Sequence, residues 1–370
     1  MKKFRVLAAA LAVSAMLAAC GGSGPGDQTP RVTYGKMVNF GDSLSDVGTY
    51  RVSFVASVYG GGEYSINPLP TEITTALTNW TEFLAAQLVL PRPCAAVTGL
   101  NTVTNPNLPY PPVPRATHAN CFDWAQGGSR VTNPVGPGNA LLFNPANPAT
   151  YSNAIGQLTE PVVTQIANHL AVQPQFAADD LVTVFAGGND LFINLATFSA
   201  TVAAGGDPVA AQQAAVGAMV TAADDLAGYV STKILANGAT HVVVLNLPDV
   251  SLTPMGLENP TAQPLILAMT QAFNGELAAK MPAGDSILFV DAFTSSQQQA
   301  AAPAMFGLTN VTDPACDLTK VSSSLLCSAA TLIAADVSFY EYADTVHPTP
   351  YGYRLLSQLV AQQMAIRGWL

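Results

Sequence analysis

Residues 180–190 read Asp-Leu-Val-Thr-Val-Phe-Ala-Gly-Gly-Asn-Asp, "DLVTVFAGGND". A short apolar run rich in β-branched residues, stopped by paired glycines, is the pattern of a strand buried on both faces. Similar runs occur at residues 32–40, 241–247 ("HVVVLNL") and 286–291 ("SILFVD"). Between them lie stretches of helical pattern. Residues 71–90 carry Trp80, Phe83, Leu84 and Leu88 at three- and four-residue steps, and residues 155–172, 208–235, 261–281 and 351–367 follow suit. Near-continuous apolar strands alternating with helices predict a parallel sheet covered on both sides. Residues 91–121 interrupt this order as a proline-heavy excursion.

In open parallel sheets ligands bind beyond the carboxyl ends of the strands. The chain holds Gly-Asp-Ser twice, at Gly41-Asp42-Ser43 and Gly284-Asp285-Ser286. Ser43 follows the first strand, where a site belongs, and is the candidate nucleophile. Ser286 precedes the last strand, with Gly284-Asp285 as the turn that launches it, and is structural.

A serine hydroxyl needs a base to take its proton. Of the four histidines, His169 lies in a helical stretch and His241 opens a strand, so both are packing or surface residues. His118 sits in the excursion, where it could line a cleft, but nothing nearby orients it. His347 stands in "DTVHPT", three residues after Asp344. In a tight loop that carboxylate can accept the imidazole Nδ1 proton and hold the tautomer. The spacing alone is a weak signal. Acyl transfer also needs donors aimed at a developing oxyanion. Gly187-Gly188-Asn189-Asp190 after the strand, and Gly127-Gly128 in "FDWAQGGSR", offer glycine N–H groups and an amide at the same sheet edge.

Taken in order, Gly41-Asp42-Ser43-Leu44, the block from Asp123 to Gly128, Gly187–Asp190 and Asp344–His347 resemble the GDSL lipases and esterases, the SGNH hydrolases. The resemblance runs from about residue 36 to 356, and "NWTEFLAAQL" is similar to the helix after that family's first block. It implies an α/β fold: a three-layer α/β/α sandwich around a flavodoxin-like five-stranded parallel sheet. It also implies Ser43 as nucleophile, His347 as base and Asp344 as its orienter. The N–H of Ser43, the N–H of Gly128 and the amide of Asn189 then form the oxyanion hole, and no cofactor or metal is called for. The chain departs from the family pattern at Asp123, where an asparagine is usual. The chain has no Gly-x-Ser-x-Gly elbow of the α/β-hydrolase kind.

The amino terminus calls for separate treatment. Lys2, Lys3 and Arg5, an apolar run and Leu17-Ala18-Ala19-Cys20 predict a signal peptide over residues 1–19 and a lipidated Cys20. Residues 20–31, rich in glycine, form a flexible tether, and residues 32–370 a single hydrolase domain. The protein is expected to be exported and lipid-anchored at a bacterial outer membrane, or periplasmic or extracellular with ordinary cleavage. Residues 1–19 hold three basic and no acidic residues, which leaves 11 basic against 24 acidic and a net charge of −13. Such a surface repels phosphate backbones, so nucleic acid is not expected as a partner. A monomer is expected.

Cys94, Cys121, Cys316 and Cys327 form an even set in an exported chain, which favours disulfides. Three pairings are open, besides free thiols. Cys94–Cys121 and Cys316–Cys327 close the shortest loops and are preferred. The leading function is a serine carboxylester hydrolase acting on acyl lipids or small esters. Phospholipase A, lysophospholipase or lipid acyltransferase activity of the same family is the alternative, with a polysaccharide acetyl esterase behind them. A non-catalytic surface lipoprotein binding module is the remaining class. The cleft walls are expected from residues 49–120 and 293–342.

Overall fold

The computed structural model describes residues 32–100 and 107–370. The signal peptide, Cys20 and the tether to residue 31 lie outside the described residues. The strands are β1 Lys36–Gly41, β2 Val97–Leu100, β3 Val113–Thr117, β4 Asp180–Phe185, β5 His241–Leu245 and β6 Ile287–Val290. The helices are α1 Ser53–Ser57, α2 Trp80–Gln87, α3 Val162–Val172, α4 Gly188–Ala203, α5 Pro208–Tyr229, α6 Pro254–Glu258, α7 Gln263–Lys280, α8 Ala292–Ala301 and α9 Pro350–Arg367.

The apolar runs pair in parallel in the order β1-β4-β5-β6. Residues 122–126 run along the other side of β1. Asn39 N donates to Phe122 O (3.0 Å), and the N–H groups of Trp124 and Gln126 donate to Asn39 O (2.8 Å) and Gly41 O (3.2 Å). This segment occupies the fifth, edge position of a flavodoxin-like order, although it contributes a bridge at Asp123 rather than a full strand. Burial of both faces explains the unbroken apolar runs. Val38, Phe40, Val182, Val184, Val242 and Val244 face the cluster covered by α3, α5 and α7. Met37, Leu181, Phe185, Val243, Leu245 and Val290 face the opposite cluster, covered by α2 and α9. The result is a three-layer α/β/α arrangement.

Helix starts follow local capping chemistry rather than the full reach of the apolar pattern. The stretch expected to be helical over 71–90 begins only at Trp80, because Asn79 and Glu82 form a reciprocal capping box. The stretch over 155–172 begins at Val162, after Pro161 at the cap. Helices α4 and α8 were not expected. The Gly-Gly-Asn-Asp after β4 caps and opens α4, and Asp291 caps α8 by accepting from Thr294 N. The proline-heavy excursion folds into the antiparallel β2–β3 pair. It is pinned by a disulfide between Cys94 and Cys121, and a second disulfide joins Cys316 and Cys327.

Candidate active site

Strand β1 ends at Gly41, where a side chain would meet Phe185 O at 2.2 Å. Glycine lets β1 and β4 close together at the point where the chain turns away. Gln165 of α3 clamps that end. Its Oε1 accepts from Gly41 N (2.9 Å) and its Nε2 donates to Gly41 O (2.8 Å). Asp42 N donates to Phe185 O (3.3 Å), and Asp42 O accepts from the N–H groups of Ser45 and Asp46 (3.1 Å each). Ser43 is thereby held just beyond the carboxyl edge of the sheet. Burial pushes the Asp42 carboxyl up to about 7, partly offset by the Leu44 N–H and the His347 charge.

The loop before α9 brings the base. His347 Nε2 lies 2.8 Å from Ser43 Oγ, across 304 residues of sequence. His347 Nδ1 lies 2.9 and 2.8 Å from Asp344 Oδ1 and Oδ2. A carboxylate there requires a proton on Nδ1, which leaves Nε2 bare to accept from the serine hydroxyl. Asp344 is itself fixed by the N–H groups of Ser324 (2.8 Å), Val346 (3.0 Å) and His347 (2.8 Å). Burial would raise this carboxyl, but the His347 charge and these hydrogen bonds outweigh it and hold the group below the usual carboxylate range. The Tyr64 ring lies against the imidazole, centroids 4.8 Å apart and tilted by 35°.

The two glycine loops meet beside Ser43. Asn189 Nδ2 donates to Ser129 O (2.8 Å), which leaves its second proton free. Asp190 ties the loops together by accepting from Arg130 Nε and Val131 N, both at 2.9 Å. Gly127 N donates to Asp46 Oδ2 (2.9 Å). The N–H groups of Ser43 and Gly128 have no hydrogen-bond partner among the described residues. Gly128 adopts φ +77°, and a side chain on it would strike Pro137 O at 2.1 Å. Ser43, Gly128, Asn189 and His347 all border one cleft of about 380 Å³.

The walls differ from expectation. Among the described residues, Tyr64 lines the cleft from 49–120, and Leu318, Ser322 and Ser323 line it from 293–342. Pro137, Gly138, Ser152, Ile155 and Gln157 line much of the rest, with Phe192 of α4 and Met255 of α6. His118 is exposed, with Nε2 2.8 Å from Thr98 Oγ1, and does not border the cleft. His169 is buried against Phe176 and accepts from Trp124 Nε1 (3.2 Å). His241 packs edge-on to Tyr34 and Trp369. Ser286 sits at the amino end of β6, and its carbonyl accepts from Val242 N (2.9 Å). Asp123 stays in the sheet, accepting from Asn39 Nδ2 (2.7 Å), and burial raises its carboxyl well above the ordinary value.

Sequence reasoning missed Gln165 and Tyr64. The available signal for Gln165 was a glutamine on the stripe Val162, Gln165, Ile166, His169 that α3 buries. Tyr64 had none, since its position follows from how the 60–70 loop docks.

The anther-specific proline-rich protein APG of Arabidopsis thaliana is 24% identical over 151 residues, 38% of this chain and 28% of that protein. A Pseudomonas putida protein described as an uncharacterized protein in the trpE-trpG intergenic region is 25% identical over 281 residues, 74% of this chain and 39% of that protein. The chain thus spans well under half the length of these two relatives. Among solved structures, an extracellular lipase from Streptomyces rimosus is similar over 89% of this chain and 99% of its own, with TM-score 0.37 and 15% identity. A lipase/acylhydrolase from Enterococcus faecalis is similar over 90% and 96%, with TM-score 0.37 and 14% identity. The family model described as GDSL-like lipase/acylhydrolase matches residues 37–360, and the chain belongs to that family.

Proposed function

We propose that this protein is a serine carboxylester hydrolase that works through an acyl-enzyme on Ser43. His347 Nε2 takes the Ser43 proton as Oγ attacks the ester carbonyl. Asp344 holds the imidazole and stabilises the imidazolium. The N–H groups of Ser43 and Gly128 and the free proton of the Asn189 amide receive the oxyanion. The imidazolium then protonates the leaving alcohol, and a water activated by the same nitrogen releases the acid.

The observation that carries this proposal is the unbroken hydrogen-bonded line from Asp344 through His347 to Ser43 Oγ, opening on a cleft. Apolar side chains at Ile155, Phe192, Met255 and Leu318 in that cleft suit the acyl chains of lipids or small esters. Export and acylation at Cys20 belong to the same proposal, on the strength of Leu17-Ala18-Ala19-Cys20. Detergent should release the protein from membranes, and Cys20→Ser should make it soluble; equal membrane association of both forms refutes the anchor.

The test of the activity compares p-nitrophenyl esters of increasing chain length with phosphatidylcholine and lysophosphatidylcholine. Ser43→Ala should cut turnover by on the order of 10⁴ while the fold survives. Ser286→Ala should leave turnover unchanged, and an organophosphate probe should label Ser43 alone. Labelling at Ser286, or full activity in Ser43→Ala, overturns the assignment.

A further inference from the structure

A smaller space adjoins the cleft at Ser43. A passage of about 40 Å³ is bordered by Ser43, Leu44, Asn189, Phe192 and His347. It shares Leu44, Pro248, Thr253 and Val346 with a chamber of about 70 Å³ between the sheet edge, α8 and the start of α9. Val346, next to the base, borders the cleft, the passage and the chamber alike. The three spaces are therefore neighbours, and Ser43 and His347 border both the cleft and the passage.

The chamber surface is largely apolar, with Phe185, Ala292 and Leu356 in its walls, and Glu341 is its one carboxylate side chain. Glu341 lines it and is 6% exposed, and its Oε2 is sealed from solvent with no hydrogen-bond partner among the described residues. Three of the other polar side chains there hold hydrogen bonds of their own, and the Tyr342 hydroxyl interacts with the Glu341 carboxyl. Thr253 Oγ1 donates to Val250 O (2.8 Å), Ser296 Oγ donates to Phe293 O (2.8 Å), and Gln299 Nε2 donates to Ser295 Oγ (3.2 Å). The backbone of Glu341 is tied at both ends, to Asn310 O (2.9 Å) and Thr349 N (2.8 Å). A carboxyl oxygen buried without a partner is unfavourable for folding. Burial pushes this carboxyl up to about 7, against the Tyr342 hydroxyl.

Taking the ester hydrolysis proposed above as given, we propose that this chamber is a substrate subsite. It receives a short aliphatic arm of the ester that ends in a hydroxyl, which donates to the Glu341 carboxyl. The apolar walls take the methylene groups, and the carboxyl takes the one group that walls alone would reject. A hydroxyl suits the site better than an ammonium, which would have to shed a full charge's hydration in an apolar chamber. Sites built to hydrogen-bond a substrate hydroxyl discriminate strongly against the analogue that lacks it, because their own polar group is then left unpaired.

The test uses two matched pairs followed by acid release: ethyl hexanoate with ethyl 6-hydroxyhexanoate, and hexyl acetate with 6-hydroxyhexyl acetate. The first pair carries the hydroxyl on the acyl arm, the second on the alcohol arm. The wild type should favour the hydroxylated member of one pair by about 10-fold or more in kcat/KM. Glu341→Leu should turn that ratio below one. Leu356→Phe, which narrows the chamber from its α9 wall, should abolish the preference with Glu341 intact. A wild type that favours the plain ester in both pairs refutes the subsite, as does a ratio unchanged in both variants. An enzyme that hydrolyses none of the four esters and takes no organophosphate on Ser43 refutes the esterase proposal instead.

Discussion

Replacing Gln165 by leucine keeps the bulk of a fully buried side chain and removes every hydrogen bond it makes. Four contacts are lost: from Gly41 N (2.9 Å), and to Gly41 O (2.8 Å), Glu160 O (2.9 Å) and Ser129 Oγ (3.2 Å). Three of the partners are not stranded. Gly41 O still accepts from Gln126 N (3.2 Å), and Ser129 Oγ and Glu160 O still bond each other (2.7 Å). Gly41 N–H is the one group left unpaired and sealed from water, at about 1–3 kcal/mol, and the other losses add about 1 kcal/mol net. The expected destabilisation is about 3 kcal/mol, read from urea unfolding at constant m-value. Gly41 lies two residues before the nucleophile, so its displacement also moves Ser43 against His347. A shift on the order of 1 Å lowers kcat by about 10²-fold, with little change in KM, in p-nitrophenyl acetate turnover. A Gln165→Leu protein within about 0.5 kcal/mol of wild type and with unchanged kcat shows that the clamp positions nothing.

Asn189→Ala should lower kcat by on the order of 10²–10³ with a small change in KM, and a folded variant with unchanged kcat removes that amide from the oxyanion hole. Stability should fall as the pH rises from about 4 to about 7. Burial raises the carboxyls of Asp42 and Glu341 to about 7 and of Asp46 to about 6, so each binds more proton folded than unfolded above about pH 4. Asp344 works the other way: its contribution is complete above the unfolded value and is lost only as acid drives the pH below about 4. The Tm measured at pH 5 should exceed that at pH 8.5 by a few degrees, and the reverse order contradicts the assignment of these buried groups. Removing either disulfide, Cys94–Cys121 or Cys316–Cys327, should cost about 3 kcal/mol from the loops of 27 and 11 residues that they close. Peptide mapping without reduction that found crossed pairs contradicts the pairing.

What could be read directly from the residues was local. Runs such as residues 180–186 reveal a strand buried on both faces because side chains alternate across a strand every two residues, and Ser43 and Ser286 are told apart by which end of a strand each adjoins. The Asp344–His347 pair was legible for the same reason, since three residues in one turn suffice to join a carboxylate to an imidazole. Boundaries such as Trp80 and Val162 were displaced by caps that a periodic pattern does not encode. Tertiary packing alone set His347 2.8 Å from Ser43 across 304 residues, gave Gln165 the end of β1 to hold, and laid Tyr64 on the imidazole. It also brought Pro137, Gly138, Ser152, Ile155 and Gln157 to the cleft wall and set Glu341 in the wall of a chamber beside the base. Those contacts join segments that share no helix, strand or turn, so no periodicity or spacing records them. They arise only when the helices and loops dock on both faces and the carboxyl edge of the sheet, which is a property of the whole folded chain.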